Sequence, residues 1–174
     1  MGAAMIPDSV LPTLRNACRT VQIIVLALAS GVCIFAIIAV MQTKGQLIWD
    51  FPLARIENSV FLVFGVMGLI GSFLVPALIT SAATDNKALA GEDRRDSLAL
   101  RIAGALQTRT IVGCALLEGG AFANIMAVFQ DGYGPSLVLA GVLMSMIVLR
   151  IPTWSRYLEQ VEAEMRRSQE KLNG

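Results

Sequence analysis

A chain of 174 residues with 55% hydrophobic residues, only 16% charged residues and a mean hydropathy of +0.65 lies outside the usual range of a soluble domain. Its formal net charge of +1 excludes a strongly basic nucleic-acid binder on bulk electrostatics. The sequence has no histidine, which removes the commonest metal ligand and the usual general base near neutral pH.

The opening "MGAAMI" lacks the Ser or Thr of a myristoylation signal. The first apolar run is too long for a signal-peptide core and no A-x-A-type site follows it, so it is expected to be retained as a span. Cys18 precedes that run, unlike a lipoprotein cysteine, and Cys18, Cys33 and Cys114 are far apart and read as small hydrophobes.

Four stretches are long and apolar enough to cross a bilayer: residues 21–41, 59–79, 110–129 and 136–152. The fourth has its apolar part at Ser136–Leu149, and "QDGYGPS" breaks it from the third. Twelve of the fourteen basic residues lie before span one, between spans two and three, or after span four; Lys44 and Arg55 are the other two. The positive-inside rule then places both termini and the middle loop in the cytoplasm, in the cytoplasmic membrane of a bacterium.

Internal similarity points to a doubled hairpin. Aligning "RTVQIIVLALASGVCIFAIIAVMQ" with "RTIVGCALLEGGAFANIMAVFQ" sets Ser30 opposite Glu118 and Gly31 opposite Gly119. The second and fourth spans pair Gly65 with Gly141 and Pro76 with Pro152. The expected fold is therefore an all-α integral membrane protein. Residues 1–152 would form a domain of four transmembrane helices as two pseudo-repeated hairpins, and residues 153–174 a cytoplasmic amphipathic helix.

Small residues let helices approach closely where lipid supplies no hydrophobic drive. Gly65, Gly68, Ser72, Gly119, Gly120, Gly141 and Ser145 are read as packing positions on that ground. In "GEDRRDSLALRIAGALQTR", Leu98, Ala99, Ile102, Ala105 and Leu106 fall at helical spacing, either as an extension of span three or as an interfacial helix. Arg94, Arg95, Arg101 and Arg109 in and beside it are candidates for anionic lipid headgroups. After Pro152, Trp154 and Tyr157 suit an aromatic belt. Leu158, Val161, Met165 and Leu172 form a stripe near a heptad rhythm, with Glu162 and Arg166 as an i,i+4 pair. The bilayer surface, another part of the chain or a second copy would each cover that stripe.

Of the 13 acidic residues only Glu118 lies inside a span. Ionising a carboxyl in hydrocarbon costs several kcal/mol, and no intramembrane Lys, Arg or His is there to pair with it. Glu118 is expected to be a neutral acid that either clasps a neighbour such as Ser30 or carries a proton or monovalent cation. Asn124 is the second polar group of that span, on a different face. The candidate ion-binding or proton-carrying residues are thus Glu118, Ser30 and Asn124. No catalytic residue, metal site or cofactor motif is recognised.

"ALLEGGAFANIMAVF" resembles the carboxylate helix of rotary ATPase proteolipid (c-type) subunits. That resemblance covers about 15 residues and implies that Glu118 is an ion carrier. The chain as a whole resembles short, uncharacterised four-span bacterial membrane proteins with an "ALLEG" segment in span three, which implies no activity. Two functions follow as expectations. One is a non-enzymatic membrane subunit or scaffold that self-associates and binds partner chains through its bundle and C-terminal helix. The other is a small homo-oligomeric ion or proton pathway through Glu118.

Overall fold

The apolar runs fold as helices in a computed structural model that describes residues 6–49, 56–84 and 94–173. A 3-10 turn at Asp8–Val10 leads into α1 (Leu11–Gln42), followed by α2 (Ile56–Thr84), α3 (Arg94–Asp131), α4 (Gly134–Leu149) and α5 (Trp154–Asn173). Among the described residues there is no strand, only an isolated bridge between Ile48 and Tyr133.

Among the described residues three helices, α1, α2 and α3, are long and apolar enough to cross a membrane. α4 has 16 residues, about 24 Å of helix at 1.5 Å per residue. It makes a fourth candidate span only together with α5, from which it bends by 73°. The helix expected to run on to Pro152 stops at Leu149, because Pro152 supplies no N–H and restricts the residue before it. The exterior is apolar: Ile23, Ile34, Met41, Met67, Leu74 and Leu78 are all more than half exposed. A contiguous apolar surface on helices of this length suits a lipid surround.

α3 is the central element, packing against α1, α2, α4 and α5. Its 38 residues span about 57 Å, well beyond the ~30 Å hydrocarbon core of a bilayer. Two apolar cores lie along it. The first joins Val25 and Val32 of α1 with Leu117, Ala121 and Ile125 of α3 and Leu143 and Ile147 of α4. The second joins Val10, Leu14 and Cys18 with Ala99, Ile102 and Leu106 of α3 and Tyr157, Val161 and Met165 of α5.

This second core decides what covers the C-terminal stripe. Val161 and Met165 are completely buried against the chain's own α1 and α3. The segment before span three is a continuous extension of that helix, not a separate interfacial one. Tyr157 leaves the expected aromatic belt for this core, where its hydroxyl donates to the Ala103 carbonyl at 3.2 Å. Among the described residues the ion pair on α5 is Glu164–Arg167 at 3.1 Å instead of Glu162–Arg166. The side chain of Leu172 lies outside the described residues.

The doubled-hairpin expectation fits only the second half. α3 and α4 pack as a hairpin, whereas α1 and α2 each pack on α3 and share no comparable seam among the described residues. Gly132, at φ +67°, ends α3 by donating its N–H to the Val128 carbonyl at 2.8 Å. Ile48 of the α1–α2 connector then bonds Gly132 and Gly134 through its own N–H and carbonyl, which ties the two turns together.

Candidate functional site

Two polar features interrupt the apolar bundle. The first is Glu118 on α3. Its Oε1 faces Gly31 of α1, where an added Cβ would stand 3.7 Å away. Phe122 flanks the same glycine, and its ring packs on Phe35 of α1 with centroids 5.4 Å apart. The carboxyl is half-buried at the α1–α3 seam. Beside it, Ala27 and Ser30 of α1 and Ala115 and Gly119 of α3 are exposed at helical spacing. Among the described residues the carboxyl has no hydrogen bond or ion pair. Ser30, expected as its partner, donates to the Leu26 carbonyl of its own helix at 2.8 Å.

Asn124 is not part of that group. It is completely buried in the α2–α3 seam, where its amide donates to the Phe61 carbonyl at 3.0 Å and to the Gly120 carbonyl at 2.8 Å. Its Oδ1 and the Ser136 hydroxyl are buried without a hydrogen-bond partner among the described residues. The amide occupies the space that a Cβ at Gly65 would need. Gly68 and Gly120 complete the close approach, with a Cβ at Gly68 reaching 2.7 Å from the Leu116 carbonyl. Gly65, Gly68 and Gly120 thus lie where α2 and α3 approach too closely for a Cβ to fit without a shift. Gly119 and Gly141 face open space, and Ser145 is exposed with its hydroxyl on the Gly141 carbonyl.

The second feature is a cleft of about 480 Å³ where α2, α3, the α4–α5 bend and α5 meet. Arg109, Arg150, Arg156 and Arg167 line it, with Glu164 as the single carboxylate among the described residues. Arg167 already pairs with Glu164. Arg150 is half-buried: it donates to the Ser72 hydroxyl at 3.2 Å, lies 4.8 Å from the Phe73 ring centroid and has no carboxylate partner among the described residues. Gly113 makes this possible, since a Cβ there would come within 2.5 Å of Arg150 Nη1. Ser72 is thus more than a packing position. Its hydroxyl donates to Leu69 and accepts from Arg150.

Of the four arginines expected near headgroups, Arg109 lines the cleft and Arg101 is exposed outside it. The side chains of Arg94 and Arg95 lie outside the described residues. Sequence reasoning missed Arg150, Arg156 and Arg167 as a group. A signal existed: Arg156, Gln160, Glu164 and Arg167 recur at i, i+4, i+8 and i+11, a polar face of α5 beside its apolar stripe.

The bend that presents α5 is fixed by Pro152, whose carbonyl accepts from Gln22 at 2.7 Å, and by Arg15 over the Trp154 ring at 5.4 Å. Burial, with a smaller push from Cys18, raises the Tyr157 hydroxyl from its usual value near 10 to about 12. No family model matches the chain, and no curated protein or solved structure matches it.

Proposed function

We propose that the protein is a non-enzymatic membrane subunit whose Glu118-bearing α1–α3 face meets another copy or a partner helix within the bilayer of a bacterial cytoplasmic membrane. One observation carries this reading: a partly exposed carboxyl on a candidate span, with no internal partner among the described residues, set in a face of exposed small residues. Small residues admit a second helix closely, and a neutral carboxyl donates to its backbone or side chains. The described part of the α5 stripe, Leu158, Val161 and Met165, packs within the chain, which favours a contact on the bundle.

The partial exposure of Glu118 also favours the second reading, a proton or monovalent cation carried there, since the carboxyl is not sealed by packed side chains. The separating experiment compares Glu118→Gln and Glu118→Leu in nanodiscs and proteoliposomes. For a subunit contact, wild type and Glu118→Gln run as oligomers, Glu118→Leu dissociates, and no variant changes ion flux. For an ion pathway, Glu118→Gln assembles normally but loses pH-dependent flux. A wild-type monomer in both detergent and nanodiscs overturns the subunit reading.

A further inference from the structure

We propose that the arginine cleft between α2, α3 and α5 is a binding site for a phosphate-bearing anion, independent of the role of Glu118. The starting point is a charge imbalance. Four guanidinium groups face one cleft whose only carboxylate among the described residues, Glu164, already pairs with Arg167. Arg150 is half-buried and met by a neutral hydroxyl and an aromatic face. A cation held out of water without a counter-charge is costly, so an anion entering the cleft recovers the desolvation already incurred.

The chemistry of the donors selects the anion. Guanidinium presents a planar fork that fits two oxygens of one anion, and a phosphate monoester offers three acceptor oxygens with a charge near −2. A single carboxylate satisfies one fork and leaves the remaining arginines facing each other. Arg109 comes from α3, Arg150 from the end of α4, and Arg156 and Arg167 from α5, so a many-oxygen anion would join three elements at once. The Gly113 slot and the Phe73 ring hold Arg150 in place beforehand, which reduces the ordering cost of binding.

The cleft is also two-faced. Phe73 and Leu149 line it and are 56% and 79% exposed, on the apolar exterior, while Gln160 and the arginines of α5 line its polar side. Its volume falls within the range of small-molecule sites, roughly 300–1,000 Å³. Both a phosphate-bearing lipid headgroup, its chains leaving past Phe73 and Leu149, and a soluble phosphate monoester share the chemistry the arginines recognise.

The test uses the full chain in nanodiscs of phosphatidylcholine with or without phosphatidic acid, read by native mass spectrometry for retained lipid. Wild type should retain phosphatidic acid selectively. Arg156→Gln and Arg167→Gln, on the exposed side of α5, should each lower retention about tenfold, the loss of roughly one charge-assisted contact. Arg150→Lys should do the same, because it keeps the charge but not the fork. Arg101→Gln, outside the cleft, should leave retention unchanged. Added glycerol phosphate identifies the source: displacement of the lipid together with binding in phosphatidylcholine alone assigns a soluble monoester, and failure to compete assigns the headgroup. Selective retention of neither probe by wild type, or an equal loss in Arg101→Gln, overturns the proposal.

Discussion

The guanidinium of Arg150 reaches the Ser72 hydroxyl, at 3.2 Å, across the bare backbone of Gly113. One residue from each of three helices thereby fixes the end of α4, because α3 omits a side chain where the arginine crosses. The same crossing aims a cation at the cleft.

Gly113→Ala should break this relationship. The new methyl meets Arg150 Nη1 at 2.5 Å and the Ser72 carbonyl at 3.3 Å, and the backbone carbonyl cannot move as the side chain can. A loss of about 1–3 kcal/mol is expected, the usual range for overpacking. In an Arg150→Ala background the same substitution should cost clearly less. Equal costs in the two backgrounds, measured by thermal unfolding in one detergent, would show that the slot does not hold Arg150.

Tyr157 gives a pH-dependent test. Its folded value of about 12 lies above the usual value near 10, so the folded state holds its proton more tightly than the unfolded state does. Its contribution is present in full below pH 10 and is lost as the pH rises through about 12. Tyr157→Phe removes the bond to Ala103 at a cost of about 1 kcal/mol and should flatten the alkaline part of the stability profile. An unchanged alkaline slope in the variant would place the titration elsewhere.

Hydropathy located the long apolar helices because it is a sum over many residues and tolerates local error. Residues 21–41, 59–79 and 110–129 all fall inside α1, α2 and α3. The sequence served less well where one side chain decides. Glu162 and Arg166 are as well spaced on a helix as Glu164 and Arg167, and spacing alone does not choose between the two pairs. Repeat alignment put Ser30 opposite Glu118, yet a serine in a helix can satisfy its hydroxyl on the carbonyl four residues back, as Ser30 does at Leu26. The cleft was illegible for another reason. Its arginines come from segments up to 58 residues apart, Arg109 to Arg167, and only the bend at Pro152 brings them together.

Burial of the α5 stripe predicts that the last helix is part of the folding unit. Met165→Ala should cost about 2–5 kcal/mol, as for other fully buried side chains cut to alanine. Arg166→Ala, one residue on and exposed, should stay within about 0.5 kcal/mol. Similar small effects from both would mean that α5 detaches in solution.

The charge asymmetry predicts topology. Cysteine reporters at Gly2 and Asn173 should label only from the cytoplasmic side, and one at Asp131 only from outside. The structure adds a consistency requirement: α5 packs on the early parts of α1 and α3, so all three belong on one side. External labelling at Asn173 would overturn the charge argument, and opposite labelling of Gly2 and Asn173 would contradict the packing as well.

Asn124 and Gly65 form the contact on which the α2–α3 seam depends. The amide donates to Phe61 one turn from the glycine and fills the volume that a side chain at position 65 would take. Gly65→Ala should cost about 1–3 kcal/mol through collision with that amide and with Leu139, whose Cδ2 would be 2.8 Å away. Asn124→Ala gives up an interhelical bond worth roughly 0.6 kcal/mol on average in a membrane, and leaves space behind. Because the methyl added at 65 enters the space vacated at 124, the double variant should be more stable than the sum of the two losses implies, by about 0.5 kcal/mol or more. Additive losses in the double-mutant cycle would mean that the two residues do not meet, and that α2 rests on α3 in a different register.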